Sequence, residues 1–213
     1  TGIGGGGLMA GIGAVTKELF PGVTIVGSQS TGANSMIKSL QQGELIESET
    51  VTTFADGIKV RKPDFKMYEL LDTLIDEAVQ VDDDKVALAV LQLIEQARII
   101  AEGAGAINLA ALELLHKQNP RRFKGKRVVL VMCGGNIDIN LIDRIIESGL
   151  IESKRRIKLD ILLNDTPGAL SKLTKSLEEV EANILQVNHR RDLPFLRLDQ
   201  SIVEVVVESK GHA

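Results

Sequence analysis

Cysteine is nearly absent from this chain, tryptophan is entirely so, and there is one tyrosine. A lone cysteine, Cys133, excludes an internal disulfide and fits a reducing, cytoplasmic compartment. With aromatic residues at 3% of the sequence, there is no platform for stacking the bases of a nucleic-acid single strand. Neither sign of charge dominates, since 25 Lys and Arg face 29 Asp and Glu, a formal net charge of −4. That balance argues against a general nucleic-acid surface and against an acidic membrane as partner. No apolar run approaches the ~18 residues of a membrane span. The first residues also lack the basic stretch and cleavage pattern of a signal peptide. The histidines His116, His189 and His212 are scattered and read as surface residues, and no His/Cys spacing suggests zinc. What remains is ordinary globular composition, 44% hydrophobic and 25% charged over 213 residues, enough for one large or two modest domains.

Glycine, by contrast, is concentrated at one place. Gly4-Gly5-Gly6-Gly7 stands directly before Leu8-Met9-Ala10-Gly11. A run without Cβ atoms removes the side chains that keep an anion off the backbone, and it permits the positive φ angles that aim successive N–H groups at one point. Leu8, Met9, Ile12, Val15 and Leu19 then recur at helical spacing, so a helix from about Leu8 adds its free N–H groups and positive dipole end to the same place. A phosphate suits this arrangement. The plainer alternative is a mobile terminal linker, against which the immediate helical periodicity weighs. Gly2-x-Gly4-x-x-Gly7 also satisfies the dinucleotide fingerprint, yet Ser28-Gln29 stands where an acidic residue should end the next strand, which argues against a nicotinamide cofactor.

Up to about residue 150 helical and strand patterns alternate. Phe20-Pro21-Gly22 stops the first helix, Val23 to Gly27 reads as a buried strand, and Ser35 to Gln42 as a second helix ending at Gly43. Tyr68 to Ile75 precedes a short strand over Glu77 to Val81. Asp82-Asp83-Asp84 stands before a long apolar-periodic helix reaching Ile100, where acids cap N–H groups and complement the dipole rather than converge on a metal. Gly103-Ala104-Gly105-Ala106 interrupts the helical pattern, which resumes to about Lys117. Arg127 to Met132 is an apolar strand stopping at Cys133-Gly134-Gly135-Asn136. Strands alternating with helices predict a parallel sheet with both faces covered, with ligands at the strands' carboxyl ends. After a charged connector at 151–156 the pattern changes. A strand (Ile157 to Leu163), the turn Asp165-Thr166-Pro167-Gly168, a helix (Ala169 to Val180) and two strands (Asn183 to His189, Ser201 to Glu208) give a β-α-β-β order, three-quarters of a ferredoxin-like unit.

These segments together resemble one family, the pyridoxal-phosphate-dependent threonine dehydratases (threonine ammonia-lyases) carrying a C-terminal ACT-type regulatory domain. The matching strings are Gly4 to Leu8, Gly27-Ser28-Gln29-Ser30, Ala55-Asp56-Gly57, Glu102-Gly103-Ala104-Gly105, Cys133-Gly134-Gly135-Asn136 and Asp165-Thr166-Pro167-Gly168-Ala169-Leu170. The resemblance implies an α/β fold, the parallel-sheet portion of a tryptophan-synthase-β-like pyridoxal-phosphate fold, over 1–150. A linker at 151–156 and a partial ferredoxin-like (ACT) α+β domain over 157–213 follow. It implies that Gly4, Gly5, Gly6, Gly7 and Leu8 hold the cofactor's phosphate. Gly57 meets the cofactor through its carbonyl, Glu102 faces the ring region, and Cys133 stands where similar enzymes place a Ser or Thr beside the pyridine nitrogen. A neutral partner there leaves the ring a weaker electron sink, which suits β-elimination. Read from its residues alone, Cys133 is either a core cysteine or, given Gly134-Gly135, a point of close approach. Glu102 is either a ligand-facing group or a cap on the Gly103 turn, and Asp56 is a turn residue rather than a general base.

The resemblance also implies what is absent. The family's Schiff-base lysine lies in a Ser-x-Lys-x-Arg-Gly segment and its substrate-carboxylate loop reads Ser-x-Gly-Asn-His; neither string occurs here. The expectation is an internal piece of a longer enzyme, inactive by itself. Related serine racemases bind a divalent metal through an acidic pair where Gln29 and Ser35 stand, with Ala33 between them, so no metal site is expected. The expected reaction is deamination of L-threonine, and less efficiently L-serine, to a 2-oxo acid and ammonia. Asp165, Gly168 and Ala169 are the expected effector turn, with isoleucine or valine as effector and a homo-oligomer as the assembly. The rival readings are a serine racemase-like enzyme and a non-catalytic amino-acid sensor.

Overall fold

A computed structural model describes residues 1–209. His212 and the final residues of the expected regulatory module, 210–213, lie outside them. The chain divides into two compact units, Thr1–Gly149 and a second from Leu150 onward. Among the described residues no helix is long and apolar enough to cross a membrane.

In the first unit a short parallel sheet separates two apolar cores. Strands β1 (Val26–Ser30) and β2 (Glu77–Val81) pair from Val26 opposite Glu77 to Ser30 opposite Val81, and Gly2 bridges in parallel to Ser28. One core gathers α1 (Gly7–Leu19), α2 (Ser35–Gln42) and α3 (Phe65–Leu74) around Ile3, Met9, Ile25, Met36, Ile37 and Leu71. The other joins β2 to α4 (Asp83–Gln92) and α5 (Gly103–Gln118) through Val81, Val86, Val90, Ala106, Ile107 and Ala110. Both sheet faces are covered, as strands alternating with helices require.

Several sequence expectations move. The strand expected over Val23 to Gly27 runs instead over Val26–Ser30, because Ile25 spends its N–H on the Asp76 carboxylate (2.7 Å) and its carbonyl on the turn at Asp76 and Glu77. The long helix expected to reach Ile100 ends at Gln92, continues as one wide turn over Leu93–Ala97, and stops at Arg98 with φ 57°. Gly103 to Ala106 do not interrupt a helix but begin α5. Their smallness serves approach, since a Cβ on Gly105 would lie 2.6 Å from the Cys133 carbonyl oxygen. Arg127 to Met132 form no strand, because no neighbouring strand pairs with them among the described residues. Val129, 85% exposed, is not a core residue. Asp83 and Asp84 stand in the first turn of α4, where they complement its dipole, but the N-cap Asp82 makes no side-chain cap bond. Asp82 accepts from Thr31 Oγ1 (2.9 Å), and Asp83 from Ser30 Oγ (2.7 Å), Thr53 Oγ1 (2.8 Å) and the Phe54 N–H (3.0 Å).

Helix α6 (Ile139–Glu152) runs across the division, so the charged stretch 151–156 holds its last residues, a turn with Lys154 at φ 59°, and the first residue of β3 (Arg156–Asn164). The second unit continues with α7 (Ala169–Glu179), β4 (Asn183–Arg190) and β5 (Gln200–Glu208) in an antiparallel sheet of order β3-β5-β4. Alternation along β5 turns Val203, Val205 and Val207 to one face, where they bury against Leu177 of α7.

Candidate active site

The glycine run enters α1 without any side chain to guard it. Gly6 is the N-cap residue at φ 96°, a left-handed conformation that favours glycine, and no acidic residue stands in the first helical turn. The first N–H groups of a helix have no intrahelical partner, so the turn presents bare donors under a positive dipole. Two of the four glycines have little room for a side chain. A Cβ on Gly4 would lie 2.9 Å from the Gly57 carbonyl oxygen, and one on Gly6 would lie 3.0 Å from Leu71 Cδ1. Gly5 and Gly7 face open space.

That space is a cavity of about 260 Å³. Its lining includes Gly4, Gly5, Gly6, Gly7 and Leu8, Gly57 and Ile58, and Glu102, Asn108, Val131, Cys133 and Gly134. All eight residues expected at a cofactor, far apart in sequence, thus come to one wall or another of a single cavity. Gly57 belongs to the 3₁₀ turn Asp56–Ile58. Asp56 is exposed there and ion-pairs with Lys59 at 3.9 Å, in keeping with a turn residue.

Glu102 occupies the N-cap position of α5, but its side chain makes no cap bond. Its backbone N–H donates to the Gly134 carbonyl at 3.1 Å. The carboxylate lies against two glycines: a Cβ on Gly57 would sit 3.0 Å from Oε1, and a Cβ on Gly134, at φ 91°, would collide with it. Cys133 is exposed with a free thiol, which sets aside the core-cysteine reading.

Asn108 was not legible as a site residue. It is 4% exposed in the middle of α5, accepts from Ser28 Oγ at 2.9 Å, and donates Nδ2 to the Val131 carbonyl at 2.5 Å. The available signal was an amide inside the apolar string Ala106-Ile107-Asn108-Leu109-Ala110, since a buried amide needs partners. Gln29 and Ser35 spend their polar groups on the backbone: Gln29 bonds to Ile3 and Ile37, and Ser35 Oγ donates to the Val60 carbonyl at 2.9 Å. A second, more open cleft of about 430 Å³, lined by Thr31, Lys38 and Glu47 among others, carries no cysteine, histidine or glycine run.

In the second unit Gly168 is the N-cap of α7 at φ 87°. In this expected effector turn the Ala169 N–H donates to the Thr166 carbonyl at 3.1 Å. Asp165 accepts from Arg191 Nε at 2.7 Å, and that guanidinium holds its carboxyl below the usual carboxylate range. His189 Nε2 lies 4.0 Å from Asp165, so this histidine is not a free surface residue. His116 lies beside Phe123.

The first unit fits pyridoxal phosphate on its own geometry. The glycine turn leaves room and donors for a phosphate, and the lining also offers the Cys133 thiol, with no acidic group but Glu102.

Comparison with known proteins agrees. The family model described as pyridoxal-phosphate dependent enzyme matches residues 1–134. The chain is 40% identical over 207 residues to the L-threonine ammonia-lyase of Thermotoga maritima, covering 97% of this chain and 50% of that protein. It is 38% identical over 209 residues to the enzyme of that name from Geobacter sulfurreducens, covering 98% and 51%. The chain therefore spans about half the length of the curated relatives it matches. Among solved structures, the processed form of threonine deaminase isoform 2 from Solanum lycopersicum matches 69% of this chain and 42% of its own, with TM-score 0.64 and 30% identity. Maize serine racemase matches 68% and 46%, with TM-score 0.61 and 26% identity. The architecture is the parallel-sheet portion of the tryptophan-synthase-β-like fold followed by a partial ferredoxin-like α+β unit. With the glycine turn, Gly57, Glu102 and Cys133 all inside the matched residues and gathered around one cavity, the chain belongs to the family of pyridoxal-phosphate dependent enzymes.

Proposed function

We propose that this chain is part of a threonine ammonia-lyase, which converts L-threonine, and L-serine less efficiently, to a 2-oxo acid and ammonia by β-elimination. The single observation that carries this reading is the convergence of the glycine turn, Glu102 and Cys133 on one cavity, in a chain that is 40% identical to an L-threonine ammonia-lyase. Bound there, pyridoxal phosphate supplies the electron sink that acidifies the α-proton of an amino acid and lets its β-hydroxyl depart. The N–H groups of Gly4 to Gly7 and Leu8 hold the phosphate, and the dipole of α1 adds to their attraction. Cys133 would be a weak hydrogen-bonding partner for the ring nitrogen, without the carboxylate that would keep that nitrogen protonated. Glu102, pressed between Gly57 and Gly134, would help to orient the ring.

The lysine that takes the α-proton is supplied by the rest of the longer enzyme, and residues 1–213 alone are inactive. The second unit senses a branched-chain amino acid, isoleucine or valine, at the turn of Asp165, Gly168 and Ala169, and pairs with a second copy in a homo-oligomer. Incubating the intact enzyme with L-threonine and assaying 2-oxobutanoate tests the reaction. Undetectable product from protein with cofactor bound would reject it. A serine racemase-like activity is the second reading, favoured by the likeness to maize serine racemase; D-serine formed from L-serine faster than pyruvate would select it.

A further inference from the structure

A run of four glycines cannot hold its own shape. Without side chains it has the largest conformational freedom of any sequence, so whatever fixes it must grip its ends. The far end is anchored by Met9, fully buried in the core. The near end is Ile3, also fully buried, and β1 grips it by three successive residues. A Cβ on Gly27 would collide with the Ile3 side chain. The Ser28 carbonyl accepts from the Ile3 N–H at 2.8 Å. Gln29 Nε2 donates to the Ile3 carbonyl at 3.0 Å.

The third grip has a second duty. Gln29 Oε1 accepts the Ile37 N–H at 2.8 Å, one of the N–H groups left open at the start of α2, where the N-cap Asn34 makes no side-chain cap bond and instead donates Nδ2 to Gln80 Oε1. The carboxamide is fully buried, its partners are backbone groups, and its register partner on β2 is the neutral Gln80. Only a group that is donor and acceptor at once satisfies both duties.

We infer that Gln29 is a positioning residue for the glycine turn, setting through Ile3 the direction in which the Gly4 to Gly7 N–H groups point. This rests on the proposal that the turn holds the cofactor's phosphate. Gln29→Glu separates the two duties. An ionised carboxylate still accepts from Ile37 but has no proton for the Ile3 carbonyl; a protonated one has the shape and the donor of the amide.

The test measures binding to the intact enzyme of pyridoxal phosphate and of an analogue lacking the aldehyde, for which covalent attachment plays no part. Wild type, Gln29→Glu and Gln29→Met are compared at pH 8.5 and 5.5, with the unfolding midpoint of each cofactor-free protein. For Gln29→Glu the ratio to wild type is expected to be about tenfold weaker at pH 8.5 and to return toward one at pH 5.5. Gln29→Met is expected to be about tenfold weaker at both, roughly the worth of one buried hydrogen bond. A residue serving only stability would lower the midpoint without moving the affinity ratio with pH. Ratios near one for both variants overturn the inference while leaving the cofactor site intact. Should Gln29→Glu not fold, Gln29→Met decides alone. Failure of the wild type to bind either compound overturns the site itself.

Discussion

At the scale of single residues, the bidentate pair of Arg122 with Glu77 ties the β2 start to the segment after α5, one arm at 2.8 Å. Arg122 holds the Glu77 carboxyl below its ordinary value. Because the folded pKa lies below the unfolded value of about 4.3, the stabilisation is complete above that value and disappears as pH falls through the folded pKa. The Glu77 side chain is 34% exposed, so solvent screening keeps the contribution to about 0.5 kcal/mol. Glu77→Gln is therefore expected to lower the urea midpoint at pH 7, with a smaller difference from wild type at pH 3. An equal difference at both values would assign the pair no electrostatic role.

The elements show where sequence reading succeeds. The glycine turn, α2, β2 and the strands of the second unit are legible because local signals act alone: a Gly cap, apolar periodicity, clean alternation over Ser201 to Glu208. Expectations fail where a partner far away decides. Ser28, Gln29 and Ser30 are buried polar residues that read as strand only once their partners Asn108, Ile3 and Asp83 are in place. Asp83 looks like a helix cap from sequence, yet it cross-links α4 to the end of β1 and to residues 53–54. Asp83→Ala leaves three donors without an acceptor, and a loss of about 2–3 kcal/mol in unfolding free energy is expected from chemical denaturation. A loss below about 0.5 kcal/mol would show that water replaces the carboxylate without cost.

For the whole molecule, the site depends on long sequence separations. Residues 4–8, 57, 102 and 133 share a cavity, and only the family's order of motifs made that convergence legible beforehand. The second unit is built on a small core of Leu177 and three valines of β5, too little to dominate stability. Isoleucine added to the intact enzyme is expected to shift its threonine saturation curve. Gly168→Val, which forces a β-branched residue to φ 87°, is expected to remove that shift while maximal rate stays nearly unchanged. No response to millimolar isoleucine or valine leaves the unit an assembly module.

The claim on which the rest depends is that the bare start of α1 holds the cofactor's phosphate. Gly7 offers the most direct test, since a Cβ there meets nothing within 4 Å and the position lines the cavity at the first residue of the helix. Gly7→Asp places a carboxylate where it favours the helix dipole by about 0.3–1 kcal/mol but repels a phosphate. The measurement is the dissociation constant of pyridoxal phosphate for the intact enzyme and this variant, alongside their cofactor-free unfolding midpoints. The account predicts affinity weakened about a hundredfold or more with the midpoint unchanged or raised; unaltered affinity in a folded Gly7→Asp protein would contradict it.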